Sequence, residues 1–210
     1  MLGDLSAKYE SNGDPACISD GYGDHGGKSY GAYQFSSNAG TLADFVKWVQ
    51  YKYPWLGNPL AAQPLCSDGF DAAWREVANE SYYDFLTAQH EYIESRFYAP
   101  AVQALADAGW HIEKHNDVMP DVVWSRAVQY GPGEIVNMWT EACRQMWNPQ
   151  DNDYTGYPNL TYIDDARFDY DLIASIYLRV CSSWEWNNSS LRDNLNERFK
   201  SECSEALARI

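Results

Sequence analysis

A chain of 210 residues is long enough to bury a well-formed core, and 45% hydrophobic with 21% charged residues is an ordinary globular balance. The net charge of −15 argues against a nucleic-acid partner or an anionic membrane surface, since both attract Lys and Arg. No stretch approaches the length of a membrane span. Aromatic residues reach 15%, with 9 Trp and 16 Tyr, an excess that suits stacking on sugar rings as well as ordinary core packing.

In chain order, Leu5 and Tyr9 stand one turn apart on a short first helix that Gly13 terminates, which places Glu10 in its last turn. The only strand material lies between Ile18 and Phe35, where Gly-rich turns alternate with Tyr and Ser. Leu42, Phe45, Val46 and Val49 follow helical spacing behind Thr41, with Asp44 completing a capping-box pattern. Further helices are predicted from about Asp71 to Asn79 and from Ser81 to about Tyr98. Pro100 opens a short helix that Gly109 closes, and Pro120 starts one that stops at Gly131. After Pro132, Ile135, Met138, Trp139, Ala142 and Met146 share a face. Residues 148–162 carry Pro149, Gly156 and Pro158 and read as a loop. Ile173, Ile176, Tyr177 and Val180 mark the next helix, and Leu191, Leu195, Phe199 and Leu207 the last. The expected fold is mainly α (α+β), with a small N-terminal β-hairpin and a helical lobe, in a single domain over residues 1–210.

Five cysteines, an odd number with irregular spacing and no CxxC, predict reduced thiols and no disulfide framework. The opening Met-Leu-Gly-Asp-Leu-Ser lacks a basic and then apolar leader, so no signal peptide is expected. His111 and His115 have a metal-ligand spacing but no third ligand, and Asp151 to Tyr162 begins like a calcium loop but lacks the terminal Glu. No metal and no cofactor are therefore expected. A Ser-His-Asp triad has no Gly-x-Ser-x-Gly elbow, and nothing beside Cys17 or Cys66 supports pairing with His25 or His90.

A carboxyl group in a helix's last turn faces the negative end of the dipole, which disfavours its ionisation. That is the state required of the acid in glycoside cleavage. Asp24 lies in the following Gly-rich segment, where a solvated carboxylate stays ionised and assists the transition state; Asp20 and Asp14 compete for that role. The alternative for Glu10 is a solvated surface residue, and for the glycines a plain loop.

Glu10-Ser11, a Gly-rich stretch and Gly31-Ala32-Tyr33-Gln34-Phe35 resemble the core of the lysozyme superfamily, namely soluble lytic transglycosylases and goose-type lysozymes. Ala127-Val-Gln-Tyr-Gly-Pro-Gly133 is similar to a later motif of those families, with Gln129 and Tyr130 replacing its Tyr-Asn pair. Gly23-Asp24-x-Gly also resembles the second-acid segment of chitosanases, a substrate class that the acidic net charge favours. The resemblance implies a lysozyme-like fold and a catalytic Glu10 assisted by Asp24. It also implies sugar subsites lined by Tyr30, Gln34, Gln129 and Tyr130. For Tyr30, Gln34 and Tyr130 the alternative is a satisfied hydrogen bond in a core.

The implied protein is a peptidoglycan hydrolase, a muramidase or lytic transglycosylase of the phage-lysin kind. It is expected to be made in the cytoplasm and to reach the cell wall by holin release or virion delivery. Its expected partner is peptidoglycan or a related amino-sugar polymer, met as a monomer. A chitosanase and a catalytically inactive glycan-binding module are the rival readings.

Overall fold

The computed structural model describes residues 2–3, 5, 13–20, 27–146, 157–182 and 192–210. It is mainly helical with a small antiparallel sheet. The chain divides into two compact units, one of Ala7–Arg96 and one of Met1–Ser6 with Phe97–Ile210.

The unit of Ala7–Arg96 carries the sheet. Strands β1 (Ile18–Ser19), β2 (Ser29–Tyr30) and β3 (Phe35–Ser36) pair in that order, with Ile18 opposite Tyr30 and Tyr30 opposite Phe35. The expected hairpin is thus the β2–β3 pair, extended by β1. Four helices follow: α1 (Thr41–Lys52), α2 (Pro54–Ala61), α3 (Asp68–Glu80) and α4 (Tyr82–Ile93). Thr41 lies inside α1 rather than capping it. Its hydroxyl accepts from the Ser36 amide at 2.8 Å, and Gly40 at φ 82° precedes the helix. The capping-box expectation fails because that hydroxyl is committed to β3.

α2 is absent from the sequence reading because it is only 8 residues long and Gly57 and Pro59 break its pattern. It forms because Pro54 presets the first turn and because Gly57 lets the helix press onto the α1 backbone, where a β-carbon would collide with Gln50. α3 starts earlier than predicted, since the Ser67 hydroxyl accepts from the Phe70 amide at 3.1 Å and caps it. The core of this unit is aromatic. Phe35 stacks on Phe45 with centroids 4.4 Å apart, and Trp74 packs on Tyr30, Phe45 and Phe85.

The predicted helix from Ser81 to Tyr98 exists in two parts. α4 gives way at Glu94 to a π-helical stretch, Glu94–Tyr98, that leads into α5 (Ala99–Asp107). Ahead of Pro100 the regular hydrogen-bond ladder cannot continue, because proline has no amide hydrogen and crowds the preceding turn. α6 (Met119–Tyr130), α7 (Ile135–Gln145), α8 (Asp169–Ser182) and α9 (Arg192–Leu207) complete the second unit, with short 3₁₀ turns at Ile112–Lys114, Pro132–Glu134, Leu160–Ile163 and Ala166–Phe168.

Their apolar faces enclose Leu105, Trp110, Val122, Trp139, Ile173, Ile176 and Phe199, all fully buried, and Leu5 joins them. Asp121 on α6 ties down both ends of the chain. One of its oxygens accepts from the Gly3 amide at 2.7 Å, and the other pairs with Arg209 at 2.7 Å.

Two buried polar clusters fix the helices of this second unit. Arg126 and Glu202 form a fully buried ion pair at 2.6 Å between α6 and α9. Glu202 also accepts from Ser125, Tyr177 and Arg198, so α6, α8 and α9 meet at one carboxylate. The guanidinium of Arg126 lies 4.9 Å from the Tyr177 ring and 4.7 Å from that of Phe199. Such a pair adds little net stability over an apolar replacement, but breaking one side leaves an uncompensated buried charge.

The second cluster is centred on His115. Its buried ring stacks on Trp110 at 4.0 Å, its Nδ1 meets Asp169 at 2.6 Å, and its Nε2 stands 3.5 Å from Asp164.

Candidate functional site

Glu10 and Asp24, the expected acid and assisting carboxylate, lie outside the described residues. Their competitors Asp14 and Asp20 are exposed, and an Asp14 oxygen accepts from the Ala16 amide at 2.9 Å.

Tyr30 is fully buried on β2. Its ring packs against Phe70 and Trp74, and its hydroxyl donates to Asp71 at 2.6 Å. Lys28 donates to the other Asp71 oxygen at 2.8 Å. Burial pushes the Asp71 carboxyl up, but the bonds from Lys28 and Tyr30 more than offset this and hold it below the usual carboxylate range. The hydrogen bond to Asp71 raises Lys28, while burial and then Asp71 push the Tyr30 hydroxyl far above its ordinary value. At neutral pH the trio is therefore ammonium, carboxylate and neutral phenol. Asp71 also sits in the first turn of α3, where a negative charge is favoured. The arrangement clasps the sheet to α3.

Gln34 occupies the turn between β2 and β3 at φ 51°, a left-handed conformation that is uncommon for a residue other than glycine. Its side-chain amide turns back to donate to the Gly31 carbonyl at 2.9 Å and to the Cys17 sulfur at 3.6 Å. Gly31 at φ 76° passes so close to Gln89 that a β-carbon there would collide with the Gln89 side-chain amide oxygen. The Gly-x-x-Gln pattern is accordingly closed by its own hydrogen bonds. Tyr30 and Gln34 thus share one hairpin, but their polar atoms go to different partners.

Gln129 and Tyr130 are neighbours at the end of α6 in the other unit, both partly buried, with the Arg126 guanidinium 5.9 Å from the Tyr130 ring. Gly131 at φ 82° ends α6 and Pro132 begins the 3₁₀ turn that leads to α7, so Gly131-Pro-Gly133 serves as a helix connector.

The polar residues that hold these segments were not singled out from the sequence. Gln89, fully buried, accepts from the Ala32 amide at 2.8 Å and donates to the Pro15 carbonyl at 3.2 Å; Trp74 donates to the same carbonyl at 2.8 Å. Asp169 accepts from His115 and, through its other oxygen, from the Asn116 amide and side chain. A glutamine at an apolar helical position was the available signal for Gln89. His111 and His115 drew notice for their spacing, and the structure gives them Asp164 and Asp169 as partners. Among the described residues no group of three or more His, Cys, Asp and Glu is arranged to hold a metal ion. No helix among them is long and apolar enough to cross a membrane. All five cysteines are free.

A mainly helical module whose best-formed polar groups are internal clasps is the class that the geometry defines. Residues 2–156 match the family described as type VI secretion system spike protein VgrG3-like, C-terminal, and the chain belongs to that family. It is 35% identical over 132 residues, 62% of its own length, to the type VI secretion system spike protein VgrG3 of Vibrio cholerae. The chain spans 12% of the length of that relative.

These findings correct the reading drawn from the short motifs. The family is that of a spike protein's C-terminal part in place of the lysozyme superfamily. The assignment as a glycoside hydrolase or lytic transglycosylase falls with the superfamily, and so do the phage-lysin, chitosanase and inactive glycan-binding readings. The expected peptidoglycan-bound monomer gives way to kinship with a spike component, and holin release or virion delivery gives way to kinship with a secretion system. The physical reason lies in the motifs themselves. Gly-x-x-Gln closes a hairpin turn and Gly-Pro-Gly joins two helices, and both are local geometries that many folds use.

Proposed function

We propose that this chain is the C-terminal part of a type VI secretion spike protein and leaves the cell with that spike. The observation that carries the reading is the family match over residues 2–156, supported by the 35% identity to the Vibrio cholerae spike protein. The small share of that relative which the chain spans favours a module attached to a much larger body. The net charge of −15 favours a soluble, self-repelling module that does not adhere to nucleic acid.

Glu10, Asp24, Gln34, Gln129 and Tyr130 are its proposed contact residues, while Tyr30, buried in the core of its own unit, supports the hairpin that carries Gln34. Alanine variants exported at the parent level would separate a contact role after delivery from a role in folding. The test of the reading itself is export. An epitope-tagged spike carrying this chain should appear in the medium of cells with a working type VI system and be absent when the system is disabled. Equal amounts in both media would overturn it.

A further inference from the structure

We propose that Cys181 and Cys203 form a dithiol site that closes to a disulfide when the chain meets a disulfide oxidant, stapling α8 to α9. The inference stands on these two helices and not on the secretion reading, and both cysteines lie beyond the matched span of residues 2–156. Cys181 sits in the last turn of α8, and Cys203 is near the end of α9, which packs alongside it. Both line a single groove of about 480 Å³, together with Tyr177, Leu178 and Lys200.

Each thiol is half-buried, and burial raises both; Cys203, at about 11, is raised further by Cys181. Lys200 partly offsets the effect of burial on Cys181, which makes Cys181 the attacking thiol.

The surroundings hold the pair in place. Glu202, next to Cys203, accepts from Arg126, Ser125, Tyr177 and Arg198, which fixes the register of α9 against α8. A disulfide needs α-carbons within about 7 Å, a reach available to facing positions on adjacent packed helices. The other thiols have different settings. Cys143 is buried and points at the carbonyls of Tyr157 and Asn159, Cys17 receives the Gln34 amide, and Cys66 sits at φ 63° in a turn.

The oxidant is a low-molecular-weight or protein disulfide. The Cys181 thiolate attacks one of its sulfurs, forming a mixed disulfide and expelling the first thiolate. Cys203 then loses its proton and attacks the Cys181 sulfur, expelling the second thiolate. The two cysteines are oxidised to one S–S bond, and the oxidant is reduced to two thiols.

Reduced, folded protein should be exposed to oxidised glutathione at about pH 8 and followed by thiol titration, intact mass and peptide mapping. Free thiols should fall from five to three, with a mass loss of about 2 Da and a Cys181–Cys203 cross-linked peptide. The melting temperature should rise by about 5 °C and return on reduction. Cys181→Ser and Cys203→Ser, with circular dichroism matching the parent, should abolish both the cross-link and the thermal shift. Five persisting thiols, a stable glutathione adduct without closure, or a bond to another cysteine would each overturn the proposal.

Discussion

Gln89 illustrates how one side chain can hold a segment far away in sequence. Its amide bridges the Ala32 amide and the Pro15 carbonyl, so α4 reads both the start and the turn of the sheet region. Gly31 exists in its conformation because Gln89 fills the space where a side chain would stand. Gln89→Ala leaves the buried Ala32 amide without that partner and opens a cavity. The expected cost is roughly 2–4 kcal/mol, read as a lower urea midpoint with an unchanged slope. A variant as stable as the parent would show that the clasp is dispensable. Tyr30 carries the same lesson: the residue read as lining a subsite gives its hydroxyl to Asp71 and its ring to Trp74.

Among the elements, the segment after α5 is anchored by one carboxylate as well as by the buried Trp110. Asp164 accepts from the His111 amide at 2.6 Å and the His111 ring at 2.9 Å, and pairs with Lys114 at 2.5 Å, which anchors the Ile112–Lys114 turn to the chain ahead of α8. Burial pushes the Asp164 carboxyl up, but Lys114 and His111 outweigh it and hold it well below the usual carboxylate range. A carboxyl lowered on folding stabilises the native state when ionised. Its contribution is complete above its unfolded value of 3.8 and is lost as pH falls through the lower folded value. Asp164→Asn should therefore be less stable than the parent by a constant margin from about pH 5 down to about pH 4, a margin that narrows in stronger acid. Thermal melts of both proteins across that range check this. A margin that widens below about pH 4 would exclude the assigned role.

For the whole molecule, a net charge of −15 on 210 residues sets a self-repulsion that opposes the compact state and is screened by salt. Raising sodium chloride from about 20 to about 200 mM should raise the melting temperature by a few degrees. An unchanged or falling value would show that local ion pairs such as Lys28–Asp71 and Lys52–Glu91 dominate instead. The proposed place of this chain on a larger spike is tested by the export of a tagged spike.

The sequence by itself determined the mainly helical class, the place of the small sheet and most helix positions. These follow from local causes: apolar residues every third or fourth position in α1, α7 and α8, prolines that open α5 and α6, and glycines that end them. Tertiary structure alone decided which polar side chains meet. Gln89 and Pro15 are 74 residues apart, Arg126 and Glu202 are 76 apart, and no periodicity encodes either pair. It also decided α2, which rests on a close approach at Gly57. The site was less legible than the fold for the same reason. A four-residue motif specifies a turn, whereas the partners that give that turn a role come from distant segments and depend on packing.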